Sequence, residues 1–137
     1  PLRGVVGALH AGWRGVVLGI LPRALELMQA RYGSSPDDIR VAVGPGISGP
    51  NFQVGPEVLE QFERQDLAFA WPDPEHSGRY RLDLERAIRT QAQRAGICPQ
   101  HYWALGRCTY ADPLFFSHRR DRGQTGRMWA LIMLPSQ

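Results

Sequence analysis

The strongest constraint on this chain lies near its start. The run from Leu2 to His10 is apolar and broken by glycines, and it passes through AGWRG straight into a helical pattern. Val16, Val17, Ile20, Leu21, Ala24, Leu25, Met28 and Tyr32 recur at the spacing of one helix face. That order predicts a buried strand over Leu2–His10, a glycine turn and an amphipathic helix. Gly4 and Gly7 mark places where another backbone or a ligand comes close. His10 then stands at the carboxyl end of a strand, where sheet proteins gather ligands. Pro22 predicts a separate or kinked first turn. Gly33 and the turn Ser34-Ser35-Pro36-Asp37 predict the helix end.

Further along, Ile39–Val43 reads as a short strand entering the glycine- and proline-rich loop GPGISGPNF. Gly55–Arg64 reads as a short helix with Val58, Leu59 and Phe62 inward, and Gln65–Arg79 as a surface loop. Asp83 is a good N-cap for a helix ending before Gly96. His101–Cys108 and Met128–Leu134 read as strands, joined by the arginine-rich connection TYADPLFFSHRRDRGQTGR. Strands and helices alternate loosely, which predicts an α/β or α+β layered domain with no internal linker.

At 137 residues the chain has the length of one domain, and 43% hydrophobic with 21% charged residues excludes a disordered segment. No apolar run reaches the roughly 18 residues that span a bilayer, so a cytoplasmic protein without membrane contact is expected. The chain opens on Pro1 rather than methionine, which predicts a processed or truncated start. All 16 basic residues are arginine, but a net charge of +3 is too mild to argue for nucleic acid. Cys98 and Cys108 form no CxxC pair and are expected to be reduced thiols.

Three groups could carry chemistry. The first is His10 with Trp13 and Arg14. Helix N–H groups and the Arg14 fork would favour an anion there. A core histidine bonded to a carbonyl, with Trp13 as packing, fits the spacing equally well. The second is GPGISGPNFQVG, which matches neither a dinucleotide fingerprint nor a P-loop. The third is FFSHRRD, where Phe115, Phe116, Arg119 and Arg120 suit a base and a phosphate by stacking and bidentate pairing. A solvated, salt-bridged loop over two buried phenylalanines is the alternative. His76 and His101 lack partners at metal spacing.

HAGWRG, GPGISGPNFQVG, YRLDLERAIRTQ and CTYADPLFFSHRRDRGQTGRMWALI occur in this order. Together they resemble the YfiH-like family, also called the laccase-domain or multicopper polyphenol oxidase family, from Val5 to Ile132. The resemblance implies an α+β fold, a layered mixed α/β sandwich of the toxin cysteine-hydrolase-like type. It implies one domain over residues 1–137 whose N-terminal part is missing. It also implies a zinc site of two histidines and a cysteine, of which this chain holds only His10. The other two ligands, in QVHG-like and ADCLP-like strings, would lie upstream, and Cys108 corresponds to a different family position. Such a chain alone is expected to be poor in metal and inactive unless the rest is supplied. An unpaired sheet edge would favour self-association. His118 departs from the aromatic residue usual there.

The family implies purine nucleoside phosphorylase activity on adenosine, inosine or methylthioadenosine, with adenosine deamination also attributed to it. His10 and Arg14 would be catalytic, and Trp13, Phe116, Arg119 and Arg120 would bind nucleoside and phosphate. Copper-dependent polyphenol oxidation is an alternative, disfavoured by only four scattered histidines. Editing of peptidoglycan precursors, and an inactive fragment or binding subunit, are the others.

Overall fold

The computed structural model describes residues 3–134, which fall into two compact units. The first comprises stretches 3–42, 88–103 and 130–134, and the second 43–87 and 104–129.

In the first unit the expected helix is divided, as Pro22 predicts. Helix α1 covers Trp13–Val17 and α2 covers Ile20–Tyr32. Gly19 between them is left-handed, with φ of 71°, a conformation that costs a side-chain-bearing residue about 1 kcal/mol or more. Gly33, also left-handed, donates its N–H to Gln29 at 2.9 Å and closes α2. Val16 is fully buried, with Leu21 and Leu25 beside it in the core. Helix α4, Leu84–Arg94, begins in the second unit and runs into the first. There its buried Gln91 donates to the carbonyl of Val16 at 2.6 Å.

The second unit holds a three-stranded antiparallel sheet. Strand β2 covers Gln53–Val54, β3 Ala70–Pro72 and β4 Tyr80–Leu82, in the order β2-β4-β3. Trp71 pairs with Arg81, and Gln53 pairs with the same arginine from the other side. Helix α3, Pro56–Glu63, starts on a proline suited to a first helical position. Phe52, Val54, Val58, Phe62, Leu67 and Leu82 form the core. Full burial of Phe62 or Leu82 is worth roughly 2 kcal/mol each. Strands β1, Val41–Val43, and β5, Tyr102–Ala104, make a two-stranded sheet. In the second unit, bonds from Leu105 to Val43 and from Thr109 to Gly46 continue the pairing, so Cys108 lies beside the glycine loop.

Several expectations need correction. The stretch 4–10 forms no strand, and Val6 and Leu9 stay exposed; Leu2 lies outside the described residues. The stretch 128–134 is likewise irregular, with Trp129 89% and Leu131 85% exposed. A strand exists only where a neighbour takes up its N–H and C=O groups, however apolar its sequence. The His101–Cys108 strand shrinks to Tyr102–Ala104, preceded by a 3-10 turn at Pro99–His101. Conversely, Gln65–Arg79 is not wholly loop, because Ala70–Pro72 is paired with β4. Among the described residues no helix is long and apolar enough to cross a membrane.

Candidate functional site

His10 is exposed and its Nε2 lies against Gly12, 3.0 Å from where a Cβ would stand. It precedes α1 by a short turn rather than ending a strand. Trp13 opens α1, half-buried, and the Arg14 guanidinium sits 4.7 Å from its ring centroid. This cation–π contact holds the guanidinium over the ring. Among the described residues the Arg14 guanidinium makes no hydrogen bond, so its N–H edges stay available to an anion. Helix α1 has five residues, too short to contribute a useful macrodipole.

The FFSHRRD stretch behaves differently. Arg120 spends its guanidinium inside the loop. Its Nε donates to Asp121 Oδ1 at 2.9 Å, and Nη2 donates to the Phe115 carbonyl at 2.9 Å. Its Nη1 donates to the carbonyls of Thr109 and Asp112 at 3.1 and 3.2 Å. Asp121 also accepts from Thr125 Oγ1 at 2.7 Å and from the Ser117 N–H. The hydrogen bonds from Arg120 and then Thr125 hold the Asp121 carboxyl below its ordinary range. Asp112 is lowered as well, chiefly by the Leu114 N–H and then by Arg107, which pairs with it. The loop is salt-bridged, as that alternative has it, but neither phenylalanine is buried: Phe115 is half-buried and Phe116 exposed.

Phe116 is 53% exposed, and its ring lies so close to Gly126 that a Cβ there would meet it at 2.7 Å. The ring walls an open hollow of about 530 Å³ with Leu114, Arg120, Gln124, Thr125 and Gly126 among its lining. Arg119 is exposed; one N–H reaches the Gln53 carbonyl at 2.8 Å, and its guanidinium lies 5.5 Å from the Phe52 ring. Phe115 takes the Arg107 guanidinium at 5.6 Å. His118 lies outside this network, close to Gly123.

Sequence reasoning gave Cys108 no role. Its sulfur accepts the Ser48 N–H at 3.3 Å and Asn51 Nδ2 at 3.5 Å. Burial pushes the thiol up, but donors from Ser48 and the N–H groups of Ala111 and Tyr110 outweigh it and bring it down to about 7. The signal was the pairing of GPGISGPN with CTY, which becomes visible only when the two meet in space. Cys98 and Cys108 are both free thiols, as expected.

His76, expected to lack partners at metal spacing, does stand among possible ligands. Among the described residues the three-ligand group is Asp73, Glu75 and His76, within 4.8 Å of one another. Arg81 already fills it, with Nε at 3.1 Å from Asp73 Oδ2 and Nη2 at 3.4 Å from Glu75. Burial would raise the Asp73 carboxyl, but bonds from Gln53, the Glu75 N–H and Arg81 lower it to about 2. A divalent ion would have to displace a guanidinium from its own carboxylate. His10 belongs to no such group, and one imidazole holds zinc weakly. The described residues therefore do not make a zinc centre by themselves.

The chain matches the family model for multi-copper polyphenol oxidoreductase laccase over residues 1–135. The chain belongs to this family. The laccase-domain description implies a bound metal. A purine nucleoside phosphorylase of Deinococcus radiodurans is 48% identical over 136 residues, covering 98% of this chain and 51% of the relative. Purine nucleoside phosphorylase YlmD of Geobacillus stearothermophilus is 43% identical, covering 96% and 49%. The crystal structure of Bacillus licheniformis hypothetical protein YfiH superposes with a TM-score of 0.85 at 37% identity, covering 92% of this chain and 48% of that one. This laccase-domain chain thus has the mixed helix-and-sheet fold of its YfiH-type neighbours. It spans about half the length of the curated relatives it matches.

Proposed function

We propose that this laccase-domain chain contributes about half of a purine nucleoside phosphorylase. The observation that carries the reading is 48% identity to a purine nucleoside phosphorylase across 98% of the chain. In the reaction a phosphate oxygen bonds to ribose C1′ as the C1′–N9 bond breaks. The bonding pair leaves with the purine, which takes up a proton, and ribose 1-phosphate remains.

The free guanidinium of Arg14, steadied on Trp13, is the chain's best phosphate contact. Arg119, in the second unit, has spare N–H groups suited to an anion as well. Arg120 instead acts as a positioning residue, since its donors hold the loop that carries Phe116. Phe116 offers a face to the base. His10 would give one nitrogen to the metal that the family implies, with zinc as the preferred ion. The remaining ligands would come from outside these 137 residues.

The test is release of adenine or hypoxanthine from adenosine or inosine by the chain, alone and with the complementary half of a relative. Phosphate-dependent release that His10→Ala abolishes, with circular dichroism unchanged, supports the reading. Phosphate-independent ammonia release would indicate deamination. Copper-dependent oxygen uptake with a phenol, and no base release, would replace phosphorolysis with phenol oxidation.

A further inference from the structure

We infer that the hollow beside Phe116 is a purine-base site in which the Gln124 carboxamide reads the edge of the ring. The inference deepens the nucleoside reading and rests on it for the class of ligand.

The hollow is built by one loop, residues 113–126, within the second unit. Its volume of about 530 Å³ lies within the roughly 300–1,000 Å³ of small-molecule sites. Its apolar wall consists of Phe116, 53% exposed, and Leu114, 80% exposed. Contact with Gly126 leaves no room for a Cβ, so the ring is braced from one side. A planar ligand on the other side would recover exposed aromatic area.

The polar lining separates into spent and unspent groups. Arg120, Asp121 and Thr125 satisfy one another: Arg120 donates to Asp121, and Thr125 donates to the same carboxylate. Gln124 is exposed, and among the described residues its carboxamide makes no hydrogen bond. It therefore offers one donor and one acceptor in a plane, side by side. The six-membered edge of a purine offers the complement: N6–H with N1 in adenine, and O6 with N1–H in hypoxanthine. A carboxamide serves either by turning over. A purine without a group at C6 supplies no such pair, so the site should favour adenosine over purine riboside.

The experiment is calorimetric titration of the 137-residue chain with adenosine and with purine riboside, without phosphate. One good hydrogen bond at a site of this kind corresponds to about tenfold in affinity, so about tenfold preference for adenosine is expected. Gln124→Met should erase that preference, because purine riboside, which keeps only the N1 acceptor, loses about tenfold less affinity than adenosine does. Phe116→Ala should weaken both ligands alike. Preference retained in Gln124→Met, binding unaffected by Phe116→Ala, or no binding to the wild-type chain would each overturn the assignment.

Base release assayed in parallel keeps the two readings apart. Phosphate-dependent release proceeding equally in both variants would move the base site elsewhere and leave phosphorolysis standing. Binding with the expected pattern, but no release even with the complementary half present, would keep the base site and remove phosphorolysis.

Discussion

Replacing Arg120 with lysine separates a structural clamp from a phosphate ligand. The guanidinium supplies donors to the carbonyls of Thr109, Asp112 and Phe115 and to both oxygens of Asp121. A single ammonium cannot fan out over acceptors on several sides, so about three of these bonds are lost. Each is worth about 1 kcal/mol net. The side chain is 32% exposed, so water takes over some acceptors and the expected loss falls to about 2 kcal/mol.

Amides closed within the same loop should report that loss directly. Gly123 donates to His118 at 2.8 Å, and Asp121 and Gln124 donate to Ser117 and Asp121 at 2.9 Å. If the loop opens locally, hydrogen exchange at these amides should accelerate about 30-fold in Arg120→Lys, the equivalent of about 2 kcal/mol. Amides of α2 should not change. Exchange within twofold of wild type would refute the clamp. A raised KM for phosphate with unchanged exchange would assign Arg120 to the anion instead.

Three further outcomes follow from the same geometry. Alkylation of Cys108 by iodoacetamide should rise through a midpoint near pH 7, and Ser48→Ala should move that midpoint upward; a midpoint near 9 would refute the donor cage. Because folding lowers this thiol, its contribution to stability is full above its unfolded value and fades as pH falls through about 7. Phe62→Ala removes a fully buried ring and should cost about 3–5 kcal/mol in urea denaturation, and a loss below 1 would place Phe62 outside the core. The exposed run through Trp129, Leu131 and Met133 should drive concentration-dependent self-association in size-exclusion chromatography with light scattering; a monomer at every concentration would refute it.

What the sequence determined on its own was mostly local. The break near Pro22, the end of α2 at Gly33, the Asp83 cap on α4 and the proline start of α3 all depend on backbone and cap chemistry within a few residues. The motif strings pointed to the family, and HAGWRG placed His10, Trp13 and Arg14 close together. Tertiary structure decided the rest, because those features depend on partners far away in the chain. Strand character failed at 4–10 and 128–134, where no neighbouring strand takes the backbone groups, and appeared at Ala70–Pro72, where β4 does. The arginines of FFSHRRD look alike in sequence, yet Arg120 is consumed by its loop while Arg119 keeps spare donors. Only folding could reveal Cys108, since its low thiol value comes mainly from Ser48, 60 positions earlier. A side chain's chemistry depends on which donors and acceptors surround it, and contacts between distant segments settle that.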